Sequence, residues 1–292
     1  MPLPKVLIIG RTGQVGWELR RCFAPLAEVV AVDYPEINLT DADALRALVH
    51  DTQPRVVINA AAYTAVDKAE LEAELCQTIN GTAPGVLAEA AQEEGALLVH
   101  YSTDYVFDGT QRTPYIETDL TNPPSVYGAT KLAGDLAVQE AGGEHLIFRL
   151  CWVYGTRGNN FLRTMQRLAR ERETLRVVHD QTGCPTWSRL IAQATTLAVM
   201  QVLAAPVPEA FNGVYHLAAS GSTTWHGFAA RIIEQLPETE RKCRVVQPIP
   251  SSEYPTPAKR PAYSVLNCLK LEQTFGLKLP DWSECLDLVL EP

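Results

Sequence analysis

Tyr127 and Lys131 are the two side chains whose types and spacing best suit acid–base chemistry, and they lie four positions apart. On a helix, this spacing places both side chains on the same face. A tyrosine with an ordinary pKa of about 10 is a poor acid–base catalyst at neutral pH, but a neighbouring ammonium favours the phenolate and lowers that pKa. The pair therefore predicts that Tyr127 gives a proton to a carbonyl oxygen as hydride reaches the carbon. The same spacing also occurs by chance, so the surrounding sequence has to decide.

Small polar residues directly follow a strand-like apolar run at 97–99. Hydroxyl side chains at the carboxyl end of a parallel strand face the ligand crevice. Thr103 is therefore expected to hydrogen-bond both a substrate hydroxyl and the oxygen of Tyr127. Asp104, the next residue, has two interpretations: it binds sugar hydroxyls, or it caps a turn.

A glycine-rich turn follows the first strand-like run and opens the first predicted helix. Its sequence is Gly10-Arg11-Thr12-Gly13-Gln14-Val15-Gly16. Glycines allow a tight turn, a close backbone approach to a pyrophosphate and close helix–strand packing, and the helix N-terminus favours an anion. Asp33 ends the second strand-like run 23 residues after Gly10, close to the spacing of about 20 expected for an acid that binds ribose. The turn therefore predicts a dinucleotide site, and the alternative is a turn with a packing role only.

The choice of dinucleotide rests on two residues that favour different cofactors. Asp33 can accept hydrogen bonds from an adenosine ribose, which favours NAD, whereas Arg11 can pair with a 2′-phosphate, which favours NADP. We therefore expect both NADH and NADPH to be used. In the alternative interpretation, Arg11 is simply solvated.

The elements that must position these residues are strands and helices in alternation. Nearly continuous apolar runs are typical of strands buried on both faces of a parallel sheet. They lie at 6–9, 29–32, 56–58, 97–99 and 146–148, with a later run at 214–217. Helical patterns lie around 14–23, 41–50, 69–93, 125–141 and 189–203. This alternation predicts an α/β fold with a Rossmann-type doubly wound parallel sheet.

The pattern loosens after residue 150, where prolines punctuate short elements. This change predicts a smaller α/β substrate-binding cap formed by 151–187 and 219–292. The dinucleotide-binding domain then comprises 1–150 together with about 188–218.

Composition limits the partners of the chain. It has 292 residues, of which 46% are hydrophobic, and this composition suits a sizeable core. Its formal net charge of −9 argues against a DNA-wrapping protein, which would show a basic face. No stretch reaches the ~18 apolar residues of a membrane helix, and the first strand begins too early for a signal peptide. Seven dispersed cysteines without a Cys-x-x-Cys pair indicate reduced thiols. We therefore expect a cytoplasmic protein with no membrane or nucleic-acid partner, and six isolated histidines predict no metal site.

Longer stretches of sequence add to these motifs, and together they extend over nearly the whole chain. They include Ala65-Val66-Asp67-Lys68-Ala69-Glu70, Ser102-Thr103-Asp104-Tyr105-Val106-Phe107, and Asp180-Gln181 followed by Pro185-Thr186. With the glycine turn and the tyrosine–lysine pair, the chain resembles the extended short-chain dehydrogenase/reductase superfamily. These longer runs are more specific, and through them it resembles the dTDP-4-dehydrorhamnose reductases. Gly81 and Cys184 depart from the pattern, at positions that vary in the family.

The resemblance implies roles for particular residues. Tyr127 would be the proton donor, Lys131 its partner and Thr103 the hydroxyl that tunes its pKa. The implied substrate contacts are Thr103, Asp104 and Trp152. The implied cofactor contacts are Gly10, Arg11, Thr12, Gly13, Gln14, Val15, Gly16, Asp33, Leu39, Thr40, Ala61, Ala62, Tyr63, Tyr127 and Lys131.

Two of the proposed substrate residues have a plainer interpretation. Trp152 follows a strand, where a tryptophan often belongs to the core. Arg260 suits a bidentate contact with a substrate diphosphate, but a surface salt bridge is the alternative.

The resemblance implies NAD(P)H-dependent reduction of the 4-keto group of dTDP-4-dehydro-L-rhamnose to dTDP-L-rhamnose. A nucleotide-sugar epimerase or dehydratase on the same scaffold is a second hypothesis, although dehydratases carry Asp-Glu after the threonine and here Asp104 is followed by Tyr105. A third is a non-enzymatic regulatory subunit, like that of methionine adenosyltransferase. The expected partners are a nucleotide sugar and a second copy of the chain. Family members can use Mg²⁺ at a dimer contact.

Overall fold

The computed structural model describes residues 3–291. The strands of four or more residues are β1 (Lys5–Ile9), β2 (Glu28–Val32), β3 (Val56–Asn59), β4 (Leu97–Thr103), β5 (His145–Leu150), β6 (Thr174–Val178), β7 (Gly213–His216) and β8 (Val245–Ile249). The helices are α1 (Gln14–Phe23), α2 (Ala42–Thr52), α3 (Val66–Ala69), α4 (Ala73–Gln77), α5 (Ala83–Glu93), α6 (Val126–Ala141), α7 (Phe161–Glu171), α8 (Ser188–Ala204), α9 (Trp225–Glu234), α10 (Leu269–Phe275) and α11 (Trp282–Leu290). Two-residue strands and single helical turns connect them.

Six of these strands form one parallel sheet in the order β7-β5-β4-β3-β1-β2. The chain passes from β1 to β2 on one side and then returns to β3 on the other side of β1. Open α/β sheets bind ligands where the strand order reverses, at the carboxyl ends of the strands. The topology therefore places a crevice above the ends of β1 and β3.

Helices cover both faces of the sheet, and this explains the uninterrupted apolar strands. One core contains side chains of α1 and α8, and the other contains side chains of α2, α5 and α6. The predicted doubly wound α/β fold is confirmed. No helix within residues 3–291 is both long and apolar enough to cross a bilayer.

The single helix predicted over 69–93 is wrong. The chain forms α3, α4, a π-helical turn at Thr78–Thr82 and then α5. Pro84 has no N–H to donate to the carbonyl of Asn80, so a regular helix cannot run through this point. The amide side chain of Asn80 instead hydrogen-bonds the backbone N–H and C=O of Tyr63, at 2.8 and 3.0 Å.

A second unit lies beside the sheet. The strands β6 and β8 pair in parallel, and α7, α9 and α11 pack with them around a separate core. The helix α10 does not belong to that core, because Leu271 and Phe275 pack in the core of the main sheet. The division into a dinucleotide-binding domain and a cap stays a prediction.

Candidate active site

The glycine turn joins β1 to α1 at the point where the strand order reverses. Gly10 has a φ of 95°, which is open to glycine but strained for other residues. A Cβ on Gly10 would lie 2.7 Å from the backbone of Ala60 and of Ala61, and one on Gly16 would lie 2.1 Å from the carbonyl oxygen of Gly10. Gly13, which has no side chain to cap the helix, is the N-cap of α1. This arrangement of backbone and helix terminus fits the pyrophosphate of a dinucleotide.

The end of β2 brings Asp33 and Arg11 to the turn, as predicted, but both have protein partners. Asp33 Oδ2 accepts hydrogen bonds from the Thr12 backbone N–H at 2.8 Å and from Thr12 Oγ1 at 2.6 Å. Arg11 donates to the carbonyl of Ala31 at 3.0 Å and forms a salt bridge of 2.7 Å with Glu36. The sequence analysis missed Glu36, although its position three residues after Asp33 was a usable signal.

Leu39 and Thr40 lie in the turn that precedes α2. The backbone N–H of Thr40 donates to Asn38 Oδ1 at 3.1 Å, and Leu39 packs against the core on the α2 face of the sheet. The two residues are thus held at the same edge of the sheet as the glycine turn.

Ala61, Ala62 and Tyr63 follow β3 directly, next to the glycine turn. The backbone N–H of Ala61 donates to Asn59 Oδ1 at 3.3 Å, while Asn80 holds the backbone of Tyr63. This segment forms the second wall of the crevice at the β1–β3 reversal.

Thr103 and Asp104 are buried at the carboxyl end of β4. Thr103 Oγ1 donates to Asp104 Oδ1 at 3.1 Å and accepts from the backbone N–H of Tyr105 at 3.2 Å, so Thr103 caps the following turn instead of Asp104. The thiol of Cys151 donates to Asp104 Oδ2 at 3.2 Å. Burial raises the pKa of Asp104 to about 6, although hydrogen bonds from Ser264, Cys151 and Thr103 oppose the shift.

Tyr127 lies in the first turn of α6, which Ser125 caps through a hydrogen bond to the backbone N–H of Gly128. Its ring is partly exposed and packs edge-on against Tyr105. The expectation that an adjacent ammonium makes this phenol acidic is wrong for this structure. Burial among protein atoms raises the pKa of Tyr127 well above its usual range, and a hydrogen bond with Thr103 opposes the shift.

Lys131 shares the helix face with Tyr127, but its side chain is buried and directed at β4. Its Nζ donates to the carbonyl of Tyr101 at 2.6 Å and lies 3.2 Å from Nε2 of His100. Burial lowers the pKa of Lys131 to about 8, while the carboxylate of Asp135 opposes the shift. His100 was expected to be an isolated histidine, and its contact with Lys131 was missed because it depends on the pairing of α6 with the sheet.

Trp152 follows the end of β5 and remains partly exposed, so it is not a simple core residue. Its φ of 45° is left-handed, which costs a non-glycine residue about 1–3 kcal/mol. Its indole stacks on that of Trp225, with centroids 3.5 Å apart and planes 7° from parallel.

Arg260 is partly buried and forms a salt bridge of 2.8 Å with Asp67 of α3. Its Nε is buried without a hydrogen-bond partner. The salt bridge that was the alternative interpretation of Arg260 is therefore present. Its contact with a substrate diphosphate stays a prediction. Among residues 3–291, no group of three or more His, Cys, Asp or Glu side chains could hold a metal ion.

Comparisons with known proteins establish the family of the chain. A family model described as the RmlD substrate binding domain matches residues 4–292. A protein of Burkholderia thailandensis named dTDP-4-dehydrorhamnose reductase is 50% identical over 289 residues, which cover 97% of each chain. This chain belongs to the dTDP-4-dehydrorhamnose reductase family. The predicted family and enzyme class, an oxidoreductase, are thereby confirmed.

Solved structures of the family share the fold over nearly the whole chain. The crystal structure of a Clostridium acetobutylicum dTDP-4-dehydrorhamnose reductase is 38% identical, with a TM-score of 0.90 and 98% of each chain covered. That of the Bacillus anthracis dTDP-4-dehydrorhamnose reductase, in complex with NADP, is 33% identical, with a TM-score of 0.89 and the same coverage.

Proposed function

We propose that this chain reduces the 4-keto group of dTDP-4-dehydro-L-rhamnose to a hydroxyl, giving dTDP-L-rhamnose at the expense of NADH or NADPH. The proposal rests on Tyr127 and Thr103, which lie close together at the carboxyl end of β4, with β3 between β4 and the strand that the glycine turn follows. The names of the curated relatives and the NADP complex of the Bacillus anthracis structure support the substrate and the cofactor.

The cofactor would lie along the glycine turn, with its adenosine end at Asp33 and Arg11. When bound, the reduced nicotinamide supplies the hydride for the keto carbon. Leu39, Thr40 and the segment from Ala61 to Tyr63 are the remaining proposed cofactor contacts.

Tyr127 gives its hydroxyl proton to the keto oxygen, so the carbonyl becomes an alcohol. The phenol is protonated at neutral pH already at its ordinary pKa, which is the form that a proton donor needs. Burial raises this pKa further, so the transfer depends on a neighbouring group that stabilises the phenolate. The Thr103 hydroxyl donates to Asp104 Oδ1 in this structure, and after the transfer its hydrogen turns to the Tyr127 oxygen and stabilises the phenolate.

Lys131 orients the cofactor from the helix face that it shares with Tyr127. The carbonyl of Tyr101 and Nε2 of His100 engage two of its three ammonium donors. The third is available to a ribose hydroxyl of the cofactor. Lys131 thus depends on β4 for its orientation.

The substrate would be held between the sheet and the cap. Asp104 accepts hydrogen bonds from sugar hydroxyls, Trp152 packs against the sugar, and Arg260 meets the diphosphate. The homodimer, a role for Mg²⁺ at its contact and a cytoplasmic location stay predictions.

The test measures the oxidation of NADH and NADPH by the purified protein with dTDP-4-dehydro-L-rhamnose. Tyr127→Phe should lower kcat by roughly 10²- to 10⁴-fold, the usual contribution of a general acid. Tyr215→Phe removes a hydroxyl that donates to the carbonyl of Phe211 beside β7, away from the crevice, and should leave the rate nearly unchanged.

Full activity of Tyr127→Phe would contradict the proton-donor role. Turnover of a nucleotide sugar without net consumption of reduced cofactor would instead support the epimerase or dehydratase hypothesis.

A further inference from the structure

Trp152 has an unusual backbone conformation for its residue type. Within residues 3–291, Trp152 and Gln53 are the non-glycine residues with a positive φ, and Gln53 is the C-cap of α2. Helix caps commonly adopt this conformation, whereas Trp152 lies in a connection next to the crevice. Such strain persists only where the surrounding structure enforces it, and it is concentrated at functional sites.

Two residues enforce the position of the Trp152 indole. Trp225 stacks on the ring at 3.5 Å between centroids. Gly183 lies against its edge, where a Cβ would be 2.5 Å from Cε2 of Trp152. A larger residue at position 183 would therefore displace the indole.

The position of Trp225 is itself fixed by contacts with side chains of the second unit. It is the first residue of α9, its Nε1 donates to Gln181 Oε1 at 3.2 Å, and its ring packs at 4.6 Å from that of Phe161. Gln181 in turn donates to Ser251 Oγ at 3.0 Å. A ring attached to the end of β5 is thus held by side chains from outside the main sheet.

The neighbourhood of Trp152 connects it to the proposed site. The preceding residue, Cys151, donates its thiol to Asp104, which places the Trp152 backbone beside the buried acid at the end of β4. Both Trp152 and Trp225 remain partly exposed, whereas Trp187 of the same region is buried. The Trp152 indole is therefore accessible from solvent.

We propose that Trp225 and Gly183 are positioning residues that hold the Trp152 indole as a wall for the sugar of the nucleotide-sugar substrate. The inference rests on the proposed function for the identity of that substrate. It predicts that losing the stack weakens substrate binding while cofactor binding and the chemical step remain largely intact.

The test compares Trp225→Leu, Trp225→Phe and Gly183→Ala with the original chain. Circular dichroism reports the stack, because paired indoles give a bisignate couplet. Trp225→Leu and Gly183→Ala should lose the couplet and raise the KM for dTDP-4-dehydro-L-rhamnose and the Kd for dTDP-L-rhamnose by roughly two- to tenfold, the strength of one aromatic pair. Trp225→Phe should lose the couplet but retain most of the affinity, since a ring still supports Trp152. The KM for NADH should stay constant.

Trp282→Phe is the matched control, because this tryptophan opens α11 and packs edge-on against Phe228. It should change neither the couplet nor the KM. An unchanged Kd for dTDP-L-rhamnose in Trp225→Leu would overturn the inference, as would a couplet that survives in that variant. Binding of dTDP-L-rhamnose without turnover of the keto-sugar would overturn the proposed function alone, and a chain that binds no dTDP-L-rhamnose would overturn both.

Discussion

Glu36→Gln should shift the cofactor preference towards NADPH. Arg11 is the cation placed to meet an adenosine 2′-phosphate, but its guanidinium forms a 2.7 Å salt bridge with Glu36, whose other oxygen accepts from the backbone N–H of Asp33 at 3.3 Å. Glu36 therefore competes with the phosphate for Arg11. Glutamine removes one negative charge and frees Arg11 for the phosphate.

The size of the shift follows from the exposure of the ion pair. The side chains of Arg11 and Glu36 are 34% and 48% exposed, so their salt bridge contributes at most about 1 kcal/mol. This value corresponds to a change of about fivefold. We therefore expect the ratio of kcat/KM for NADPH to kcat/KM for NADH to rise by roughly two- to fivefold, and less at high salt, because ions screen exposed charges.

Steady-state kinetics with each cofactor at saturating keto-sugar measure this ratio directly. Glu253→Gln is the control, because Glu253 forms a comparably exposed ion pair with Arg176 on the second unit, and it should leave the ratio unchanged. A ratio that stays constant or falls in Glu36→Gln would refute the argument that Glu36 withholds Arg11 from the phosphate.

Two further predictions concern the buried charges beneath the site. Because burial lowers the pKa of Lys131 to about 8, its ammonium is lost as pH rises through that value, and kcat/KM should fall above pH 8. Lys131→Arg, which stays charged, should show a flatter pH–rate profile there, and parallel profiles would contradict the assignment. Arg149→Met removes a cation whose Nε lies 3.3 Å from Asp135 Oδ2 in the interior, and should lower the free energy of unfolding in urea by about 3–5 kcal/mol. The exposed Arg176→Met should change it by less than about 1 kcal/mol.

The main sheet could be predicted because its strands are covered on both faces. An apolar run such as 6–9 then has no solvent-facing position to interrupt it, and the observed strand is Lys5–Ile9. The helix over 69–93 failed for the opposite reason. Pro84 and the side chain of Asn80 break a segment whose composition alone favours a continuous helix, and the bond from Asn80 to Tyr63 depends on tertiary structure.

The residues of the candidate site also fall into those that could be predicted from the sequence and those that could not. Residues identified by position along a strand or turn, such as Gly10, Asp33 and Thr103, lie at the crevice where the topology requires them. Residues that act by touching another side chain were missed, because nothing in the local sequence of Trp225 indicates a stack with a tryptophan at the end of a distant strand. Glu36 is an intermediate case. The sequence shows that it lies close to Asp33, but it does not show that its side chain pairs with Arg11.

The tyrosine–lysine pair shows the limit of an argument from spacing. Four positions on a helix establish a shared face for Tyr127 and Lys131, but they do not determine where a long flexible side chain ends. Here the carbonyl of Tyr101 and the ring of His100 draw the ammonium towards β4, and burial raises the pKa of the phenol. A tyrosine is protonated at neutral pH already at its ordinary pKa, and the raised pKa makes it a weaker acid, so the proposed transfer depends on a group that stabilises the phenolate. The hydroxyl of Thr103 stabilises the phenolate once its hydrogen turns from Asp104 Oδ1 to the Tyr127 oxygen.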